Sequence, residues 1–279
     1  ANTRLAMSEN RNILGSHLEG PFLSVKMCGA QSTDNLFVPS ETNYTDFLDE
    51  YGDTVKMMGA APELDGAFEL GEELAKRGIV ASVAHSSGNY DTAYESLNHG
   101  FSDITHVYNA CTSCYKEGVF RRAGTVEAAL SDDRFSVQAI SDLVHLPVGV
   151  LRLIYKAKGS DKMYLITDGL EFSAFDMNEG EEFTQKNGVK VVYEDEVMKL
   201  ADRSCLAGST ANGARLVRNM YKTVGVPLTE AVKMMTLTPA RVIGVDSYKG
   251  KIAEGYDADI ILFDENVEVS SVMINGKLA

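Results

Sequence analysis

Cysteine is scarce in this chain. Four cysteines in 279 residues (Cys28, Cys111, Cys114 and Cys205) cannot form a disulfide framework for a protein of this size, and a reducing cytoplasm is the natural setting to expect. No apolar stretch approaches the length that spans a bilayer, and no signal-peptide pattern opens the sequence. Basic residues are short too: 26 Lys and Arg face 40 Asp and Glu, a formal net charge of −14, with no Lys/Arg-rich run. Nucleic acid and anionic membrane are therefore poor partners. Proline occurs only six times while 44% of residues are hydrophobic, so a large core is expected. The length suits one barrel-type domain, or one large domain with a small appendage.

What is present alternates. "VKMMGAAPE" (55–63), "GIVASVAHS" (78–86), "SDITHVYNA" (102–110), "SVQAISDLVH" (136–145) and "DKMYLITDG" (161–169) read as strands. Between them, "LDGAFELGEELAKRG" (64–78), "NYDTAYESLNHG" (89–100) and "LPVGVLRLIYKAKG" read as helices, the last with proline at its start, and an irregular loop runs from 111 to about 123. Such alternation predicts a parallel sheet with right-handed crossovers. Near the end, "LTEAVKMMTLTPARVIGV" has helical spacing with Thr-Pro starting a new turn, and "DADIILFDE" and "VEVSSVMINGKLA" read as strands. The methionines, including the pairs at 57 and 234, read as core filler.

The stretch "GSHLEGPFLS" (15–24) places a carboxylate where a strand should run out, because Gly-Pro follows Glu19 at once. The same placement recurs. His85, His106 and Asp168 lie at or just inside the C-terminal ends of their apolar runs, and His145 ends its run. In a (β/α)₈ barrel those ends converge on one mouth, whereas an open sheet would spread them along a crevice. Glu19, His85 and His106 are a carboxylate and two imidazoles, ligand types for one divalent ion, Zn²⁺ or Fe²⁺, with a position left for water. Asp168 is then placed to accept that water's proton and return it to a leaving amine. His99, on the polar side of its helix, and His17 read as hydrogen-bonded or packing residues. Cys111-Thr-Ser-Cys114 lacks a second pair or neighbouring ligand histidines, so it is a weak metal or redox signal.

The motifs "HLEGPF", "VAHSSGNYDTA", "THVYNA", "DLVHLP", "LITDG" and "LAGST", followed by "LTPARVIGV" and "KGKIAEGYDADIILFDENVEVSSVMINGK", occur in an order that resembles the N-acetylglucosamine-6-phosphate deacetylases of the amidohydrolase superfamily. The resemblance covers nearly the whole chain. It implies metal-dependent removal of the acetyl group from N-acetyl-D-glucosamine 6-phosphate, giving acetate and D-glucosamine 6-phosphate. It implies Glu19, His85 and His106 as metal ligands and Asp168 as the catalytic aspartate. His145 corresponds to the histidine that contacts substrate and helps polarise the acetyl carbonyl. Ala30, Asn109, Ala110 and Leu206 correspond to substrate-contacting positions. Arg121 corresponds to the sugar-phosphate contact, with Arg122 the alternative. A homodimer is implied for the complete protein.

The fold expected is an α/β, TIM-type (β/α)₈ barrel over residues 1–240, with the C-terminal part of a small β domain over 241–279. Three departures from the family pattern bear on this. No His-x-His pair occurs anywhere, and the chain opens "ANTRLAMSEN" without an initiator methionine or an obvious first strand. The expectation is a chain beginning near the third barrel strand, with open sheet edges that favour association. The loop "CTSCYKEGVFRRAGTVEAAL" brings its arginines later than the family form, and "TDGLEFSAF" departs from the commoner sequence after the aspartate, leaving the sugar open. Two other readings stand beside the favoured one: hydrolysis of another amino-sugar phosphate, and a non-catalytic fragment that binds sugar phosphate or a partner chain.

Overall fold

The computed structural model describes residues 2–279, and its contacts divide the chain into two units, the first ending at Val137 and the second running Gln138–Ala279. In chain order the first unit holds β1 (Ser16–Phe22), β2 (Val55–Ala60), β3 (Val80–Val83), β4 (Phe101–Ile104), the short β5 (Tyr115–Glu117) and β6 (Phe120–Arg122), and the start of β7 (Ser136–Ala139). β1 pairs with β2, β2 with β3, β3 with β4 and β4 with the first residues of β7, all in parallel. Parallel pairing requires crossovers, and helices Tyr44–Tyr51, Ala67–Lys76, Tyr90–Ser96 and Thr125–Ser131 supply them. Every residue of β2 except Lys56 is buried, as expected of a strand covered on both faces.

The helices form where spacing and capping direct. In Ala67–Lys76 the buried residues Ala67, Leu70, Gly71 and Leu74 recur at three- to four-residue steps. Gly71 is required there, because a Cβ would lie 2.6 Å from the Phe101 ring. Asn89 caps the next helix, its side chain accepting the Thr92 N–H.

The strands are shorter than the apolar runs predict. Regular pairing stops at Val83, Ile104, Ala139 and Leu165, although Ala84, Ile140 and Ile166 continue the apolar run beyond the first, third and fourth of these. The backbone then turns left-handed at His85 (φ 45°), His106 (φ 29°), Leu143 (φ 72°) and Asp168 (φ 49°), which no strand accommodates. β1 errs the other way. It does not end at Glu19 but continues through a cis Gly20–Pro21 bond and a register shift, resuming where Phe22 pairs with Ala60. Proline removes a ladder donor, and the irregularity spans the residues where that donor would be needed. The loop after Ala110 is also not wholly irregular, because β5 and β6 form an exposed antiparallel hairpin.

In the second unit, helix Val148–Lys162 follows Pro147 at its N-cap and leads into β8 (Met163–Leu165), and the Ile166 N–H donates to the Ala139 carbonyl. Four antiparallel strands follow, β9 (Glu182–Thr184), β10 (Lys190–Glu194), β11 (Val197–Leu200) and β12 (Leu206–Ser209), in a region where the sequence pattern shows no element. Val191, Val192, Val197 and Met198 are their buried residues. The helical stretch near the end is two helices, Leu228–Met235 and Leu237–Val242, broken at Thr236. Pro239 has no N–H to offer the Met235 carbonyl, so the break precedes the proline rather than following it. β13 (Ile260–Phe263), β14 (Val269–Ile274) and β15 (Lys277–Leu278) close the chain as an antiparallel sheet. No helix among the described residues is long and apolar enough to cross a membrane.

Candidate active site

Three predicted residues of the first unit come together. Glu19 Oε1 lies 2.7 Å from His85 Nε2 and 2.7 Å from His106 Nε2, and the two rings meet edge to face at 4.9 Å. The three ligand-type atoms lie within 4.8 Å of one another, and both histidines are buried. The opposite side of each side chain is also held. His85 Nδ1 bonds the Met27 carbonyl at 2.7 Å and His106 Nδ1 bonds the Asn109 carbonyl at 3.1 Å, so each Nδ1 is a donor and each Nε2 is turned inward. The Gln31 amide donates to Glu19 Oε2 at 3.1 Å, leaving Oε1 toward the imidazoles. Burial works to raise the Glu19 carboxyl, but bonds from His106 and His85 outweigh it and hold the group far below the usual carboxylate range. One carboxylate oxygen and two oriented ring nitrogens fit a divalent ion.

The strand ends impose this arrangement. His85 and His106 each follow their strand by two residues, in left-handed backbone. Such conformations persist when their surroundings over-determine them, and those surroundings are visible here. The His85 carbonyl accepts the Ser24 N–H at 3.0 Å. Beyond β2, Glu63 accepts the Ser86 hydroxyl at 2.7 Å, the Ser87 N–H at 2.5 Å and the Ser87 hydroxyl at 3.0 Å. The loop that carries His85 is thus tied to a carboxylate on the neighbouring strand's extension.

Ala110, expected at substrate, lies near the His85 ring: a Cβ on Gly29 would lie 3.4 Å from that ring and 4.0 Å from the Ala110 side chain, and Ala30, also expected there, follows Gly29 in the chain. Asn109 is half-buried beside His106. Arg121 is exposed on the β5–β6 hairpin opposite Lys116, while Arg122 pairs with Glu117 at 2.8 Å. His17 shares the Glu19 side of β1. It reaches solvent, yet enough protein surrounds it to push its imidazole down to about 4, loss of hydration leading and His106 adding to it against the pull of Glu19. Cys111 is buried and burial pushes its thiol up to about 11, while Cys114 is exposed; neither is in a disulfide.

The second unit holds His145, Asp168 and Leu206. His145 Nδ1 donates to the buried Asp142 carboxylate at 2.7 Å. Asp168 is half-buried, and its carbonyl accepts the Ser209 N–H at 3.0 Å. Leu206 begins the strand that ends at Ser209. The sequence reading passed over Gln31, Glu63, Asp142 and Ser209. Glu63 carried a signal that was available, a carboxylate just past a strand, as did Asp142, three residues before His145 in one turn. Gln31 and Ser209 carried none.

Comparison with known proteins places this geometry. Residues 3–279 match the model of the Amidohydrolase family. N-acetylglucosamine-6-phosphate deacetylase of Haemophilus influenzae is 33% identical over 265 residues, 95% of this chain and 67% of that protein. N-acetylgalactosamine-6-phosphate deacetylase of Escherichia coli O157:H7 is 30% identical over 268 residues, 96% of this chain and 68% of that one. The chain thus spans about two thirds of these relatives. The crystal structure of N-acetylglucosamine-6-phosphate deacetylase from Pasteurella multocida superposes with a TM-score of 0.89 at 28% identity, over 99% of this chain and 70% of that one. The fold is therefore the amidohydrolase one, of the (β/α)₈ class with a small β domain that the sequence predicts. With the parallel strands, the carboxylate–imidazole group at their ends and a family match running almost end to end, this chain belongs to the amidohydrolase family.

Proposed function

We propose that the protein hydrolyses the acetamide of N-acetyl-D-glucosamine 6-phosphate to acetate and D-glucosamine 6-phosphate. The observation that carries this reading is the convergence of Glu19, His85 and His106 in a chain 33% identical to a deacetylase of that substrate. These three residues would hold one divalent ion, zinc or iron by ligand type. A divalent ion supplies Lewis acidity, lowering the pKa of water and polarising an acyl oxygen. Asp168 takes the proton of the attacking water and passes it to the departing amine, as a carboxylate does in general acid–base catalysis. His145 offers Nε2 to the acyl oxygen as charge develops there. Ala30, Asn109, Ala110 and Leu206 contact the sugar, and Arg121 meets the phosphate as its charge partner. Residues 1–240 carry the barrel and 241–279 part of the small β domain. The setting is cytoplasmic, and the protein works as a homodimer.

A second sugar stands close behind. The relative named for N-acetylgalactosamine 6-phosphate is 30% identical, and the segment after Asp168 departs from the commoner family form. The experiment is acetate release by zinc- or iron-loaded protein from both phosphorylated epimers and from unphosphorylated N-acetylglucosamine. Preferential turnover of the glucosamine epimer supports the proposal, and preference for the other epimer replaces the substrate. Folded, metal-loaded protein that releases no acetate from any of them leaves the non-catalytic reading.

A further inference from the structure

Asp142 is 1% exposed and its carboxylate is used completely. Oδ1 accepts the N–H groups of Val144 (3.0 Å) and His145 (2.9 Å), which builds the turn. An asparagine would do that equally well. Oδ2 does what an asparagine cannot: it accepts from His145 Nδ1 at 2.7 Å, and the carboxylate also takes a hydrogen bond from the Ser209 hydroxyl. Burying a carboxylate is costly unless it is paired in this way. Ser209, itself fully buried, makes two more bonds. Its hydroxyl oxygen accepts the Ala211 N–H at 3.1 Å, and its own N–H donates to the Asp168 carbonyl at 3.0 Å. One chain of hydrogen bonds therefore runs from the His145 ring through Asp142 and Ser209 to the peptide of Asp168, whose backbone is left-handed.

We propose that Asp142 and Ser209 are positioning residues of the deacetylase: Asp142 fixes the His145 ring with Nδ1 protonated and Nε2 directed to substrate, and Ser209 ties that dyad to the backbone that presents Asp168. The substrate's part in this rests on the function proposed above; the ring's orientation does not. A carboxylate opposite Nδ1 also accommodates the doubly protonated ring that an Nε2–H donor to an acyl oxygen requires. Outer partners of this kind typically contribute about 10–100-fold to activity.

The test compares wild type with Asp142→Asn, Ser209→Ala and the double variant, by steady-state acetate release, thermal unfolding and long-range ¹⁵N–¹H correlation of the histidine rings, with His145→Gln assigning the signals. In wild type, His145 Nδ1 is expected to carry a proton. In Asp142→Asn the turn remains, but the amide NH₂ faces Nδ1, so the ring should switch to the neutral Nε2-protonated tautomer. That form still donates from Nε2 but without the positive charge that the carboxylate supports, and kcat should fall about 10–100-fold. Ser209→Ala should lower kcat about fivefold, the effect of one hydrogen bond, and the double variant should lose less than the product of the two. An unchanged ring tautomer in Asp142→Asn overturns the proposal, as does a fall in melting temperature with kcat within about twofold of wild type. Should Asp142→Asn not fold, an unchanged kcat in Ser209→Ala overturns it and the fivefold loss supports it. Wild type that releases no acetate removes the deacetylase reading alone, because the ring spectra still decide what Asp142 does.

Discussion

Glu19 Oε1 and His85 Nε2 lie 2.7 Å apart although 66 positions separate the residues in the chain. Only the parallel ladder brings them together, through β1 on β2 and β2 on β3. His85→Ala or His106→Ala should therefore lower bound zinc and turnover together. Removal of the ion by a chelator should lower the melting temperature of wild type, because a ligand bound only to the folded state stabilises it. Titration with Zn²⁺ followed by calorimetry checks both. Stoichiometric zinc retained by His85→Ala would remove that residue from the ligand set.

The support around these residues should show in affinity. Gln31→Ala frees Glu19 Oε2, and Glu63→Gln weakens the acceptor of Ser86 and Ser87 beside His85. Each is expected to weaken metal binding about 10–100-fold while leaving the protein folded. The absorption spectrum of the cobalt-loaded protein reports ligand geometry, so it should change in both variants.

Asp168→Asn preserves shape and removes the proposed base. Turnover should fall about 10²–10⁴-fold with bound metal unchanged. His145→Gln should lose less, because an amide still donates a hydrogen bond to a developing oxyanion. Near-normal turnover in Asp168→Asn sinks the assignment.

The cysteines should separate by burial. Cys111 is buried with its thiol pushed up to about 11, and burial is the leading cause. The thiolate is the reactive form, so Cys111 should resist iodoacetamide near neutral pH in the native state while exposed Cys114 is labelled first. Equal labelling of the two, or a Cys111–Cys114 disulfide under mild oxidation, would restore a redox reading of this C-x-x-C.

Acid should reach the fold through Asp142. Burial would raise its carboxyl, but bonds from His145 and Ser209 hold it below the usual value. A carboxyl whose folded value lies below its unfolded value, about 3.9, stabilises the protein fully above that range and loses the contribution as pH falls through the folded value. The stability difference between wild type and Asp142→Asn should thus shrink from about pH 5 toward pH 3 in urea unfolding. A difference independent of pH across that range would show that the fold does not hold the Asp142 carboxyl below its unfolded value.

Much of the site was legible because parallel strands impose a rule. Polar residues at the ends of apolar runs drew attention to Glu19, His85 and His106, and the fold brings these three together, although β1 itself runs on past Glu19. The strand limits were not legible. Ala84 continues the apolar run past Val83, and the left-handed turn at His85 stops the ladder there, as the one at His106 does past Ile104. Local pattern carries hydrophobicity; it does not carry φ.

By itself, the sequence determined the alternation of strands and helices, the parallel class, and the ligand types at the strand ends, because these follow from periodicity and side-chain chemistry within a few residues. Tertiary structure decided what lies far apart in the chain. It chose Gln31 to hold Glu19, Glu63 to hold the loop of His85, and Ser209 to join Asp142 to the Asp168 peptide, across 67 residues in the case of Asp142 and Ser209. A hydrogen bond needs a donor and an acceptor within about 3 Å, and for residues so distant only the folded backbone sets that distance.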